Sequence, residues 1–227
     1  MKKNLTNNCF LEDIKISTIY SGIKKTTNNE DDLLLIEFEK NSSISGVFTQ
    51  SLTSSASVNQ CKNNLISSKE PNFIKGDVIN TELVAAALKD YKIDSVIHLA
   101  GLKAVGESVS RPVMYYKNNV LGTVSLLEAM TRCNVFNLVF SSSATVYGIP
   151  NFLPISEEHP CRPNNPYGRS KLYIEEILSD LVTSDINWNI ISLRYFNPIG
   201  SHESGLIGDN PNGIPNNLMP FINQVAS

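Results

Sequence analysis

The sequence lacks the features of a membrane, secreted or nucleic-acid-binding protein. No apolar run in its 227 residues approaches the roughly 20 that cross a bilayer, and no apolar stretch follows the charged N-terminus. The net charge is −3, and lysines and arginines are scattered, so no basic surface for nucleic acid is indicated. We therefore expect a cytoplasmic protein that binds small molecules or proteins, with neither a membrane nor a nucleic-acid partner.

Cysteine is scarce and widely spaced. The four cysteines, Cys9, Cys61, Cys133 and Cys161, form no C-x-x-C pair. This spacing argues against a zinc knuckle and against a disulfide framework, so we expect no metal site and a reducing compartment.

Glycine is sparse where a dinucleotide-binding protein needs it. Such a protein opens with a strand, a glycine-rich turn and a helix whose N-terminus holds the pyrophosphate. None of the 12 glycines falls in a G-x-G-x-x-G or G-x-x-G-x-x-G array, and only Gly22 and Gly46 precede residue 76. The usual phosphate-binding turn is therefore missing from this sequence.

The N-terminal part is rich in small polar residues. Residues 1–70 contain 26 Asn, Ser or Thr and no sustained strand or helix period. Residues 1–43 are unassigned, with disorder as one interpretation. Gly46–Thr49 resembles the end of a strand, and Ser51–Ser55 a loop that caps a helix carrying Val58 and Cys61.

From Phe73 onward strand and helix patterns alternate. Ser95–Ala100 is a continuous apolar run before a glycine, typical of a parallel strand covered on both faces. The patterns predict strands at 73–77, 95–100, 136–140 and 189–193 and helices at 81–91, 115–133 and 166–184. This order predicts an α/β fold with a doubly wound parallel sheet, in which ligands bind at the carboxyl ends of strands. The loops after Ala100, Phe140 and Leu193 are the expected site.

Tyr167 and Lys171 stand four residues apart on one face of the last predicted helix. A phenol with a pKa near 10 needs about 4 kcal/mol of preferential phenolate stabilisation to act as a base at neutral pH. A nearby ammonium, the helix N-terminus and an oxidised nicotinamide are groups that stabilise a phenolate. Ser143, at the end of the neighbouring strand, can hydrogen-bond a substrate hydroxyl and the phenol. The spacing alone is weak evidence, because Tyr20 and Lys24 share it.

Consecutive motifs carry a resemblance to a known family. They are Leu99–Ser108, Tyr115–Thr123, Ser141–Gly148, Asn165–Lys171, Arg194–Gly200 and Gly205–Pro220. Together they resemble the UDP-glucose 4-epimerases, which are extended short-chain dehydrogenases/reductases. The match is dense from Phe73 to Ala226, faint from Gly46 to Lys62 and not visible before that.

The resemblance implies a set of site residues. The catalytic positions are Ser143, Tyr167 and Lys171. NAD would contact Tyr167 and Lys171 as well as eight other residues. Of these, Asp77 and Val78 would lie near the adenine, Asn118 beside the nicotinamide ribose and Phe196 beside the nicotinamide. The loop residues that would line the cofactor are Leu99, Ala100, Gly101 and Lys103. The nucleotide sugar would meet Ser143, Asn197, Asn216, Asn217 and Leu218.

The resemblance also implies an activity and an organisation. Tyr167 would take the proton of the sugar C4 hydroxyl, and hydride would pass to NAD and return to the other face of a 4-keto sugar, interconverting UDP-glucose and UDP-galactose. Residues 44–196 would form an incomplete Rossmann-like NAD-binding domain without its first strand and glycine-rich turn. Residues 197–227 would begin the UDP-sugar domain. The family forms homodimers through two helices, here Tyr115–Cys133 and Pro166–Ser184.

Two kinds of alternative compete with this interpretation. A nucleotide-sugar 4,6-dehydratase needs an acid/base carboxylate pair just after the catalytic Ser or Thr. Ala144 and Thr145 stand there and cannot shuttle the proton of an elimination. Another UDP-sugar epimerase or a UDP-sugar decarboxylase stays open.

The second kind of alternative is an inactive fragment or pseudoenzyme. The glycine array is absent, and Gln50 stands where the family carries an acidic residue for the adenosine ribose. The resemblance places Ser227 inside a helix. We therefore expect a chain truncated at both ends relative to the family, with poor NAD binding and little or no turnover.

Overall fold

The computed structural model describes the backbone of residues 34–38, residues 72–197, and residues 218, 221, 222 and 225. The side chains at positions 34–38, 72, 73 and 75 are not described. The segment Gly46–Cys61, with its predicted strand end and helix and with Gln50, lies outside the described residues. Within the described residues, no helix is long and apolar enough to cross a membrane.

The described strands form two parallel sheets. β1 (Leu34–Phe38) pairs with β2 (Asn72–Gly76) in parallel. β3 (Ser95–His98), β4 (Asn137–Ser143) and β5 (Asn189–Tyr195) form a three-stranded parallel sheet in that order. The predicted parallel α/β architecture is confirmed. β1 lies within residues 1–43, which carried no assignable pattern beyond a short apolar burst.

Helices connect these strands. They are α1 (Thr81–Asp90), α2 (Val105–Ser110), α3 (Pro112–Tyr115), a π-helical segment (Tyr116–Leu121), α4 (Gly122–Arg132), a 3-10 helix (Ala144–Tyr147) and α5 (Pro166–Ser184). The helix predicted at 115–133 therefore begins at Pro112 and contains a π-helical turn. α2 was not predicted, because its six residues lie in a segment interpreted as loop.

Two asparagines fix where α1 and α5 begin. The side chain of Asn80 accepts a hydrogen bond from the Leu83 N–H, and that of Asn165 accepts one from the Gly168 N–H at 2.8 Å. Each side chain satisfies an N–H that has no partner inside its own helix. Pro166 occupies the first turn of α5, where its missing N–H costs nothing.

One apolar core joins the helices to the three-stranded sheet. Leu138 and Phe140 of β4 meet side chains of α1, α4 and α5, and the core includes Val84, Leu88, Leu126, Leu127, Met130, Ile174 and Leu178. Trp188, the single tryptophan of the sequence, is buried just before β5. Its ring packs edge-on against that of Phe136, and the two ring centres are 5.3 Å apart. This core holds β4 and α5 in fixed relation.

β4 and β5 run further than their apolar patterns predict. The pattern of β4 ends at Phe140, but pairing with β5 continues through Ser143, opposite Tyr195. The reason is the backbone: ladder hydrogen bonds continue through polar residues when the neighbouring strand is present. The extension carries three serines to the carboxyl edge of the sheet.

Candidate active site

Ser143 is the last residue of β4, at the predicted edge of the sheet. Its buried Oγ accepts hydrogen bonds from the Thr145 N–H at 3.2 Å and from the Thr145 hydroxyl at 2.8 Å. A hydroxyl that accepts twice still has its own proton to donate. Ser143 is therefore held in place as a hydrogen-bond donor.

Tyr167 is buried beside Ser143, with only 9% of its surface exposed. It is the second residue of α5, next to Gly168. A Cβ at Gly168 would lie 2.7 Å from the carbonyl oxygen of Thr145, closer than real contacts allow. Glycine is therefore what lets the start of α5 approach the 3-10 helix. An isolated Tyr-x-x-x-Lys sequence is usually an exposed pair on a helix surface, but Tyr167 is buried.

Two opposed effects act on the phenol. Burial raises the pKa of Tyr167 above its ordinary value, and a hydrogen bond from Ser143 acts in the lowering direction without reversing it. The surrounding protein residues alone thus keep the phenol protonated at neutral pH. A cation brought beside the phenol is needed to lower its pKa into the working range of a base.

Lys171 lies one turn after Tyr167 and is buried as well. Its Nζ donates to the Ser141 carbonyl oxygen at 2.7 Å and lies 4.8 Å from the centre of the Phe140 ring. Burial lowers the pKa of Lys171 to about 8, and the Glu175 carboxylate opposes this lowering. An ammonium has three donors, and only the bond to Ser141 is found among the described residues. The remaining donors suit hydroxyl groups of a ligand.

The buried ammonium of Lys171 should make the free energy of unfolding depend on pH in the alkaline range. The folded pKa of about 8 lies below the ordinary 10.5, so the unfolded chain holds more protons between these pH values. The free energy of unfolding should therefore rise by about 3 kcal/mol from pH 8 to 10.5 because of this group. Lys171→Met should lack that rise in urea unfolding, whereas Lys89→Met, at an exposed position of α1, should keep it. An equal rise in wild type and Lys171→Met would contradict the assignment.

The predicted loop after β3 reaches Lys171. A Cβ built on Gly101 would lie 3.6 Å from Lys171 Nζ and 3.3 Å from the side-chain oxygen of Asn119. Gly101 is buried, whereas Leu99, Ala100 and Lys103 are half-buried. The backbone of this loop therefore passes directly against α5, as expected for a cofactor-lining segment at a sheet edge.

Asn119 fixes this loop, and the motifs did not single it out. Its Oδ1 accepts from the Leu102 N–H at 2.8 Å and from the Asn118 side chain at 3.3 Å. Its Nδ2 donates to the Leu102 carbonyl at 3.0 Å and to the Ser170 hydroxyl at 3.1 Å. All four hydrogen-bonding positions of the amide are thus used. The side chain ties the loop to the residue that precedes Lys171.

Asn118 lies within the π-helical segment, half-buried beside Asn119. A π-helical turn adds one residue to a helical turn and changes which side chains face inward. Here the side chains of the consecutive Asn118 and Asn119 are hydrogen-bonded to each other, and Asn119 binds the loop at Leu102. Strict 3.6-residue periodicity could not have predicted this pairing.

The remaining predicted residues are more scattered. Asp77 accepts from the Ile79 N–H at 3.0 Å and shapes the turn after β2, and the Val78 side chain is part of the core. Phe196 is 59% exposed and stacks on Tyr147 at 6.5 Å. Asn197 and Leu218 are exposed, and Asn216 and Asn217 lie outside the described residues. Among the described residues of this group, no contact with Tyr167 is found.

His98 is a buried residue of β3. The sequence patterns predicted it only as part of a strand. Its Nε2 lies 2.8 Å from the Thr123 hydroxyl, and that hydroxyl donates its single proton to the Asn119 carbonyl. His98 Nε2 must therefore be the donor, which leaves Nδ1 unprotonated in the neutral ring. Burial, with a smaller effect of Lys171, lowers the pKa of His98 to about 3.

Within the described residues, no group of three or more His, Cys, Asp or Glu side chains is arranged to hold a metal ion.

Comparison with known proteins gives consistent matches. The model of the NAD-dependent epimerase/dehydratase family matches residues 42–227. A UDP-glucose 4-epimerase of Drosophila melanogaster is 56% identical over 162 residues, covering 71% of this chain and 46% of the relative. One from Yersinia enterocolitica is 49% identical over 181 residues, covering 79% and 54%. The chain thus spans about half the length of the curated relatives it matches.

A solved structure shows the same similarity in three dimensions. The UDP-glucose 4-epimerase from Bifidobacterium longum, in complex with NAD+ and UDP, superposes with a TM-score of 0.73 at 45% identity. The alignment covers 85% of this chain and 55% of that one. The resemblance inferred from the motifs is confirmed at the level of family and fold.

Proposed function

Because the chain belongs to the NAD-dependent epimerase/dehydratase family, we propose that it interconverts UDP-glucose and UDP-galactose with NAD as cofactor. The observation that carries this proposal is the buried group of Ser143, Tyr167 and Lys171 at the carboxyl edge of the parallel sheet. Relatives at 49% and 56% identity are UDP-glucose 4-epimerases, which supports the same substrate class.

The residues present fit NAD. Lys171 has donors left for ribose hydroxyls, and Gly101 keeps the loop backbone open beside its ammonium. Asn118 donates to Asn119, the side chain that binds the loop backbone at Leu102. When bound, NAD would accept the hydride from the sugar C4 and return it. Asp77 and Val78 would contribute turn backbone near the adenine, and Leu99, Ala100 and Lys103 the loop wall.

The chain's own residues would manage the proton. Tyr167 would remove the proton of the C4 hydroxyl, and Ser143 would donate a hydrogen bond that stabilises the phenolate. Lys171 would contribute positive charge close by while its amine holds a ligand hydroxyl. Burial of all three excludes water and strengthens these interactions.

We assign the substrate side to the chain beyond β5. Phe196 would flank the nicotinamide, and Asn197, Asn216, Asn217 and Leu218 would contact the nucleotide sugar. In this assignment residues 44–196 form the NAD-binding domain and residues 197–227 begin the sugar-binding part. We assign a homodimer interface to residues 115–133 and α5, where Leu121, Val124 and Val182 are exposed. Within the chain, the Tyr116 and Tyr173 rings stack with their centres 6.0 Å apart and hold the two helices side by side.

A second candidate is a chain that keeps the catalytic geometry without turnover. The observation in its favour is the absence of any G-x-G-x-x-G or G-x-x-G-x-x-G array among the 12 glycines. Without that turn the pyrophosphate has no helix N-terminus of the usual kind to hold it. NAD affinity is thus the quantity that separates the two candidates.

The test is to purify the chain and incubate it with excess NAD and UDP-galactose. The proposal predicts formation of UDP-glucose, detected by chromatography, and no 4,6-dehydrated product. UDP-N-acetylglucosamine in a parallel reaction tests for a different UDP-sugar epimerase. Binding of NAD without any conversion of these UDP-sugars would overturn the proposal. No NAD binding and no conversion would favour the inactive alternative.

A further inference from the structure

Glu175 lies one turn beyond Lys171 on α5, and its side chain is only 11% exposed. Arg194 of β5 contacts both of its oxygens, with Nε at 3.0 and 3.1 Å and Nη2 at 2.6 Å. The hydroxyl of Ser142 on β4 also donates to Oε1 of Glu175. One carboxylate on α5 therefore holds two neighbouring strands of the sheet.

Arg194 extends this network to the 3-10 helix. Its Nη1 donates to the Tyr147 hydroxyl at 3.1 Å, and its guanidinium lies 4.9 Å from the centre of the Tyr147 ring. We call Glu175, Ser142, Arg194 and Tyr147 the Glu175 network. Ser142 directly precedes Ser143, and Arg194 stands two residues before Phe196. Both strand members of the network therefore adjoin residues of the candidate site.

We propose that Glu175 is a positioning residue that ties the ends of β4 and β5 to the helix carrying Tyr167 and Lys171, and that its carboxylate, one turn beyond Lys171 on the same face of that helix, is the negative charge that acts on the Lys171 ammonium. The inference deepens the proposed function and rests on it for its catalytic meaning. In this proposal, Glu175 contacts neither the sugar nor the reacting atoms of Ser143, Tyr167 and Lys171. Its contribution is transmitted through Ser142 and Lys171.

The arrangement is more than a surface ion pair. A guanidinium that contacts both carboxylate oxygens fixes orientation as well as charge, and here the pair lies largely away from solvent. A buried pair of this kind adds little net stability over well-packed apolar residues, but removing one partner leaves an uncompensated charge. Positioning, rather than stability, is therefore the benefit that explains a charged network at this place.

The charges around Lys171 make the second part of the proposal specific. Tyr167 and Glu175 face it from its own helix, and His98 faces it from β3. His98 is neutral at pH 7, because burial lowers its pKa to about 3. Arg194, from β5, contacts the Glu175 carboxylate itself. Glu175 is thus the negative charge that favours the ammonium form of Lys171.

The experiment compares Glu175→Gln with Glu176→Gln in the full chain. Glu176 is the next residue of α5 and is exposed, so its replacement removes the same charge from the outer face of the helix. Lysine labelled with carbon-13 at Cε is titrated by NMR, and the Lys171 signal is assigned with Lys171→Arg. Glu175→Gln should shift the titration of Lys171 to lower pH by about one unit, and Glu176→Gln should leave it unchanged.

An unchanged Lys171 titration in folded Glu175→Gln would overturn the proposal. If that variant does not fold, Glu175→Gln/Arg194→Gln is compared with Arg194→Gln, because these two proteins differ only in the charge at position 175, and the double variant should titrate at the lower pH. The titration needs neither NAD nor sugar, so it gives an answer even where the chain shows no turnover and the proposed function fails. Where turnover is measurable, Glu175→Gln should lower kcat at neutral pH more than it raises KM.

Discussion

Tyr167→Phe should lower conversion of UDP-galactose at saturating NAD by a factor of about 10² to 10⁴, the usual contribution of one general acid/base group. The substitution removes only the phenol oxygen, so the buried ring still fills its space. Ser143 keeps both of its hydrogen bonds from Thr145, and only its own hydroxyl loses an acceptor, the phenol oxygen. Because one hydrogen bond contributes about 1 kcal/mol, the free energy of unfolding should fall by about that much while turnover falls far more.

A matched control is available on the same helix. Tyr173 is 43% exposed and stacks on Tyr116, away from Ser143. Tyr173→Phe makes the same chemical change and should keep turnover within a factor of about two of the wild type, since it lacks a role in proton transfer. Turnover of Tyr167→Phe within tenfold of the wild type would refute the assignment of Tyr167 as the base.

The second large effect is acid destabilisation through His98. The folded pKa of about 3 lies below the ordinary 6.5, so the unfolded chain binds a proton between these pH values that the folded chain does not. The stabilisation is complete above pH 6.5 and is lost as the pH falls toward 3. At 1.36 kcal/mol for each pKa unit, the loss reaches about 5 kcal/mol, comparable to the whole stability of many domains.

His98→Gln provides the measurement. Glutamine keeps an N–H donor for Thr123 but has no proton to gain, so urea unfolding between pH 6.5 and 4 should show a smaller decrease in stability than the wild type. Carboxyl groups also titrate in this range, and the comparison of the two proteins cancels their contribution. Thr123→Val, which removes the partner but leaves the imidazole, should lower stability yet keep the steep acid dependence. Parallel curves for wild type and His98→Gln would contradict this account.

The regular elements were predictable because their patterns are local. Apolar runs and helix spacing predicted β2 to β5, α1, the helical stretch that ends at Arg132 and α5 within a few residues, but not α2. Asn165 with Pro166 marked the start of α5. The rule that ligands bind at strand ends predicted Ser143 at the carboxyl edge of the sheet. The family resemblance of the surrounding motifs, rather than their spacing alone, joined Tyr167 and Lys171 to it.

Contacts made only by the fold could not be predicted in this way. His98, Asn119 and Glu175 occupy ordinary strand and helix positions, and nothing in their spacing indicates burial or charge partners. The π-helical segment depends on a local change of hydrogen bonding that residue type does not specify. The extension of β4 through Ser143 depends on its neighbour β5, which lies 52 residues further along the chain in the pairing of Asn137 with Asn189.

The position of Trp188 gives the protein a built-in optical probe. It is the single tryptophan, buried against Phe136 at the junction of α5 and β5, so all indole fluorescence comes from one site. Exposure to water on unfolding shifts indole emission to longer wavelength. Each variant at Tyr167, Lys171, His98 or Glu175 leaves this chromophore unchanged. Its emission therefore reports whether the packing of α5 on the sheet survives, on the same sample used for turnover or titration.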